Sequence, residues 1–150
     1  MKIVIQRVLS SKVVVNEVIV GEIEKGLLIL VGIVEEDTHE DIEWLVRKIV
    51  QLRIFEDKEG IMNLSIKDIN GNILIISQFT LHSLTKKGNR PSYIKAAKPT
   101  IAVSIYEEFI QKIELEMNKK LEKGIFGATM KVHLINDGPI TIIIDSKNRE

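Results

Sequence analysis

Residues 26–52 read GLLILVGIVEEDTHEDIEWLVRKIVQL, and the hydrophobic period changes half-way along them. From 27 to 34 nearly every position is apolar and branched, the pattern of a strand buried on both faces. Further on, Ile42, Leu45, Val46, Ile49 and Leu52 recur at three- and four-residue steps, one stripe of a helix. Thr38 followed by Asp41 has the form of a capping box with Asp in place of Glu, so the spacing predicts a helix over 39–51. A doubly buried strand followed by a one-sided helix calls for layers, and the flanking segments say which.

Towards the amino end, 3–9, 13–15 and 18–23 are short β-rich runs, with Asn16-Glu17 placed as a hairpin turn, so an antiparallel meander opens the chain. Towards the carboxyl end, Phe55 sits in a short extended piece, 57–60 has turn chemistry, and 63–72 is irregular up to the Asn70-Gly71 turn signal. Residues 73–81, ILIISQFTL, predict a strand with Ile73, Ile75, Ser77 and Phe79 on one face and Leu74, Ile76, Gln78 and Thr80 on the other. A second helix starts at Pro99 or Thr100 and carries Ala102, Ile105, Phe109, Ile113 and Met117 on one stripe, with Gly124 just past its end. Strands over 129–135 and 140–145 close the chain, and NDGP between them reads as their turn. The order of strands, helix, strand, helix, strands predicts an α+β fold. Its β core is mostly antiparallel, a sheet or barrel-like, with two covering α-helices, in a single domain over 1–150.

Composition narrows the function. Hydrophobic residues make up 45% and aromatics 5%, so Ile, Val and Leu must fill the core. With no cysteine, disulfides, thiolate metal sites and cysteine nucleophiles fall away together, and a cytoplasmic location is expected. No run approaches the roughly 18 apolar residues of a membrane span, and MKIVIQRVLSSK is unlike a signal peptide, so no membrane association is expected. Twenty-one basic and 21 acidic residues balance, so no DNA binding through global charge is expected. Any RNA contact must be local, and Lys86, Lys87, Arg90, Lys95 and Lys98 in KKGNRPSYIKAAK, with no acid among them, form the candidate; charge alone favours a solvated loop.

Metal and nucleotide chemistry find no support. His39, His82 and His133 fall in three different elements without carboxylates at ligand spacing, so no metal is expected. Neither a P-loop nor G-x-G-x-x-G occurs, and no cofactor is expected. What remains is the end of ILIISQFTL, where Ser77, Gln78 and Thr80 interrupt an aliphatic run. Buried polar groups there must find partners or line a pocket, unless the strand simply emerges into solvent. A serine or threonine nucleophile also needs a base in reach, and His82 has no carboxylate to orient it, so a triad is weakly supported.

The segments ISQFTL (76–81), KKGNRPSY (86–93), IFGATM (125–130) and NDGPIT (136–141), with MKIVIQRV and LRIFEDKEGIMNLS, closely resemble the D-aminoacyl-tRNA deacylase family, also called D-tyrosyl-tRNA deacylases. The resemblance spans essentially the whole chain in order. It implies a hydrolase that cleaves the ester of D-aminoacyl-tRNA, and of glycyl-tRNA, for proofreading in translation. It also implies a homodimer with its active sites at the subunit interface. Ser77, Gln78, Phe79 and Thr80 would line the pocket of one subunit. Gly138 and Pro139 of the partner, joined by a cis bond and braced by Arg7, would enter it and reject L-substrates by collision. Phe126, Gly127 and Met130 match the segment that lines the terminal adenosine pocket, although Met130 suits a core as well. Lys86, Lys87 and Arg90 would hold acceptor-stem phosphates. Catalysis without a protein nucleophile, through backbone N–H donors around Gln78 and Phe79 and one placed water, fits an activated ester. Thr80 then has a supporting role. Asp137 and His82 are small departures from the family pattern.

Overall fold

A computed structural model describes residues 1–150. The elements run β1 (Lys2–Val15), β2 (Val18–Ile23), β3 (Gly26–Gly32), α1 (His39–Gln51), β4 (Phe55–Glu56), β5 (Met62–Leu64) and β6 (Asn72–Ser77). A 3-10 turn (Phe79–His82), α2 (Pro99–Met117), β7 (Glu122–Lys123) and β8 (Lys131–Asp145) follow.

β1 organises the sheet through three antiparallel pairings. Along one edge its first half pairs with β3 and its second half with β2; along the other it pairs with β8 for almost its whole length. The turn into β2 uses Asn16 and Glu17 at φ 48° and 64°, the two-residue hairpin the sequence predicts. The break expected after Leu9 does not occur, because β8 holds β1 as one strand and register shifts near Val8 absorb its bending.

β3 and β6 run parallel, as do β6 and β7, with α1 as part of the crossover, so the sheet is mixed. It curls until β2 returns against β7: a Cβ on Gly21 would lie 2.9 Å from the Lys123 carbonyl oxygen. The curl gives the central strands two buried faces. Ile29 and Val31 of β3 and Ile73 and Ile75 of β6 join the large cluster beneath the helices. Leu28, Leu74 and Ile76 face the other way, into a smaller cluster with Val8, Val13 and Ile23. That is why these two strands are apolar at successive positions.

Both helices lay their apolar stripes on the large cluster. In α1 Ile42, Leu45, Val46 and Ile49 are buried, and the capping box is present: Thr38 N and Oγ1 donate to Asp41 Oδ2 at 2.8 and 2.9 Å. Burial pushes the Asp41 carboxyl up. Hydrogen bonds from Lys147, Ser146 and Thr38 together outweigh burial and hold it far below the usual carboxylate range. In α2 the buried set is Ala102, Tyr106, Phe109, Ile110 and Ile113. The helix stops at Asn118, φ 49°, and not at Gly124. Gly124 serves packing, since a Cβ there would meet Met130 Sδ at 2.5 Å.

The closing pair of strands is a second correction. β8 is one strand, and both its halves run the same way along β1, so NDGP does not reverse the chain. Asn136 stands opposite Val8 and Thr141 opposite Gln6, which leaves 137–140 of β8 against Arg7 alone. The segment is a bulge pushed out of a continuous strand. Asn136 fastens its base, with Nδ2 donating to the carbonyls of Arg7 and Ile140, both at 3.0 Å.

Candidate active site

β6 leaves the sheet earlier than the aliphatic run suggests. The Gln78 N–H donates to the Val31 carbonyl at 2.7 Å, the last rung between β3 and β6, and the chain then turns through Phe79–His82. Phe79 and Thr80 are therefore in the 3-10 turn and not on alternating strand faces. The same rung takes away one of the backbone donors expected around Gln78 and Phe79. The Gln78 N–H is already engaged, whereas those of Phe79 and Thr80, at the start of the turn, have no backbone partner.

Beside this turn lies a cavity of about 560 Å³, lined mainly by apolar side chains. Ser77, Gln78 and Phe79 form one side of it and Phe126, Gly127 and Met130 another. Tyr106 underlies the second side: its ring packs against Phe126 at 5.6 Å and its hydroxyl donates to the Ile75 carbonyl at 3.2 Å. Burial, helped by the Glu107 charge, raises the Tyr106 phenol well above its usual value, so it remains a donor. A third side comes from the loop before α2, which the Ala97 N–H ties to the Ile33 carbonyl at 2.9 Å. Tyr93 of that loop meets Phe79 edge-on, with ring centroids 5.0 Å apart.

The bulge of β8 is a separate structure. Arg7 is buried beneath it; Nη1 donates to the Ile54 carbonyl at 2.6 Å, and Nε lies 3.0 Å from Asp137 Oδ2, an ion pair without hydrogen-bond alignment. Gly138 has φ 115°, a conformation that favours glycine, and a Cβ there would crowd Ile140 Cγ1 at 3.0 Å and Arg7 Nη2 at 3.1 Å. The Gly138-Pro139 peptide is cis, and both residues are exposed. Neither they nor Arg7 line the cavity of their own chain.

A sequence model of the family described as D-Tyr-tRNA(Tyr) deacylase matches residues 4–145. The chain belongs to this family. A D-aminoacyl-tRNA deacylase of Flavobacterium psychrophilum is 64% identical to it, and one of Bacteroides fragilis 57%, each over the full length of both chains. Among solved structures, one described as c-Myc DNA Unwinding Element Binding Protein superposes with a TM-score of 0.92 at 39% identity, covering 97% of this chain and 98% of its own. A probable eukaryotic D-amino acid tRNA deacylase has the same fold, with a TM-score of 0.82 at 16% identity, covering 95% and 97%.

In this member of the deacylase family, Ser77, Gln78, Phe79, Phe126, Gly127 and Met130 meet around one cavity. Thr80 stands behind it, its Oγ1 accepting a 2.6 Å hydrogen bond from Gln78 Nε2. Lys86, Lys87 and Arg90 lie outside it, on an exposed loop whose ends are joined by paired backbone hydrogen bonds between Leu84 and Ser92. His82 ends the 3-10 turn and borders a different groove. Reading the sequence missed the apolar wall of Val31, Ile33, Ala96 and Ala97. Nothing local marks those residues, because the parallel pairing of β3 with β6 and the tie between Ala97 and Ile33 bring them together.

Proposed function

We propose that this protein is a D-aminoacyl-tRNA deacylase that proofreads chirality as a homodimer. It hydrolyses the ester between a D-amino acid, or glycine, and the terminal ribose of tRNA. Water adds to the carbonyl carbon, the tetrahedral intermediate collapses, and the ribose hydroxyl leaves with a proton. The unpaired N–H groups of Phe79 and Thr80 are the donors suited to the developing oxyanion. The terminal adenosine takes the Phe126, Gly127 and Met130 side, and Lys86, Lys87 and Arg90 take acceptor-stem phosphates.

The observation that carries this reading is the separation of the bulge from the cavity within one chain. Gly138 and Pro139 project on a base fixed by Arg7 and Asn136, yet their own cavity does not include them. A second copy gives this rigid projection an address. Inserted into the partner's cavity beside Ser77 and Phe79, its backbone would collide with an L-side chain and spare a D-side chain or glycine. Exposed Ile135 and Ile143 flank the bulge on a strand whose outer edge is unpaired, which suits an interface.

Matched D- and L-tyrosyl-tRNA test the reading directly. Hydrolysis of the D-ester and of glycyl-tRNA, with the L-ester spared, is expected. Hydrolysis of the L-ester would overturn the chiral assignment, and hydrolysis of neither would overturn the enzyme.

A further inference from the structure

Lys98 is the only charged residue that lines the cavity. It is exposed, and it forms none of the ion pairs of the protein. The sequence supplies no local counter-ion either, since no Asp or Glu occurs between Asp68 and Glu107. Its position is also wrong for the helix it begins. Lys98 is the N-cap of α2 and makes no side-chain cap bond, where Ser, Thr, Asp or Asn would satisfy an N–H group. A cation there also faces the positive end of the helix dipole. A residue that opposes its local structure in this way, at the mouth of a cavity, is expected where function takes precedence over stability.

The chemistry of the substrate supplies the function. A terminal nucleoside seated in a mostly apolar cavity is neutral in its base and ribose. The polynucleotide leaves through the 5′-phosphodiester, whose single negative charge must cross the rim. We propose that Lys98 binds that phosphate and so positions the terminal nucleotide, distinct from the acceptor-stem contacts of the 86–90 loop. The inference rests on the proposed function, because it assumes a nucleoside in this cavity.

Binding of adenosine and of adenosine 5′-monophosphate to the free enzyme tests it, measured by calorimetry on the wild type, Lys98→Ser and Lys98→Arg. The expected result is a preference of roughly two- to fivefold for the monophosphate, the range of an exposed ion pair. Lys98→Ser should abolish that preference, Lys98→Arg should keep it, and adenosine should bind all three alike. In deacylation, Lys98→Ser should raise KM for D-tyrosyl-tRNA at unchanged kcat while raising the melting temperature, because serine caps the helix better. Equal binding of the two probes to wild type, or a preference that survives Lys98→Ser, overturns the proposal and leaves the proposed function standing. If neither probe binds, the nucleoside is elsewhere, and the reading of the cavity falls along with that of Lys98.

Discussion

The Thr80 hydroxyl accepts a 2.6 Å hydrogen bond from Gln78 Nε2, and no histidine or carboxylate hydrogen-bonds it. A nucleophile without a base has nowhere to send its proton, so the geometry gives Thr80 the task of fixing the Gln78 side chain. Thr80→Ala should therefore keep kcat/KM for D-tyrosyl-tRNA within about tenfold of wild type. A fall of about 10⁴ or more, towards the roughly 10⁶ of a lost nucleophile, would restore Thr80 to the chemistry. At this scale the sequence was partly legible. Ser77, Gln78 and Thr80 stand out as polar breaks in an aliphatic run. Which N–H groups remain free was hidden, because it depends on the rung from Gln78 to Val31, a residue from a distant strand. Arg7 was legible only through the family resemblance: on its own, an arginine in an apolar strand reads as exposed until the bulge that covers it is known.

Among the elements, α1 was the most legible, since its cap, stripe and length all lie within 15 consecutive residues, 38–52. Asp41 also does something the pattern does not reveal: it accepts from Lys147 Nζ at 2.6 Å and so ties the segment after β8 to the start of the helix. Its carboxyl lies far below the ordinary value because these hydrogen bonds outweigh burial. The folded state thus binds fewer protons than the unfolded chain. The stabilisation is complete above the unfolded value of about 4 and is lost as pH falls through the depressed folded value. Asp41→Asn should lower the melting temperature at pH 7 by about 4 °C, corresponding to about 1.5 kcal/mol, the scale of a hydrogen bond to a charged group, as the bonds from Thr38 and Lys147 lose the carboxylate charge. The gap from wild type should narrow as pH falls from 5 towards 2. A gap that stays constant over that range would show that the charge of Asp41 contributes nothing. β8 was the least legible element, because Asn, Asp, Gly and Pro together signal a reversal. Only the continuous register with β1 on both sides of 137–140 reveals a bulge, and register is a long-range property.

At the scale of the whole molecule, the question is whether the bulge and cavity act within one chain or across two. Pro139→Ala alters the exposed tip and leaves the base formed by Arg7 and Asn136 in place, so it should abolish D-tyrosyl-tRNA hydrolysis without changing the state of assembly. Ala96→Trp should fill the cavity from its lining and abolish hydrolysis from the other side. If each site is built from one cavity and the partner's bulge, a heterodimer of the two variants holds one intact site and one doubly damaged site. Random reassortment makes half of the dimers mixed, so two inactive preparations, dissociated and reassembled together, should recover about one quarter of wild-type activity per subunit. Size-exclusion chromatography would verify the assembly and single-turnover hydrolysis the active fraction. Sites contained within single chains would give no recovery, since every chain then carries a defect. That outcome would remove the cross-subunit filter and leave the cavity, the 3-10 turn and the family relationship unchanged.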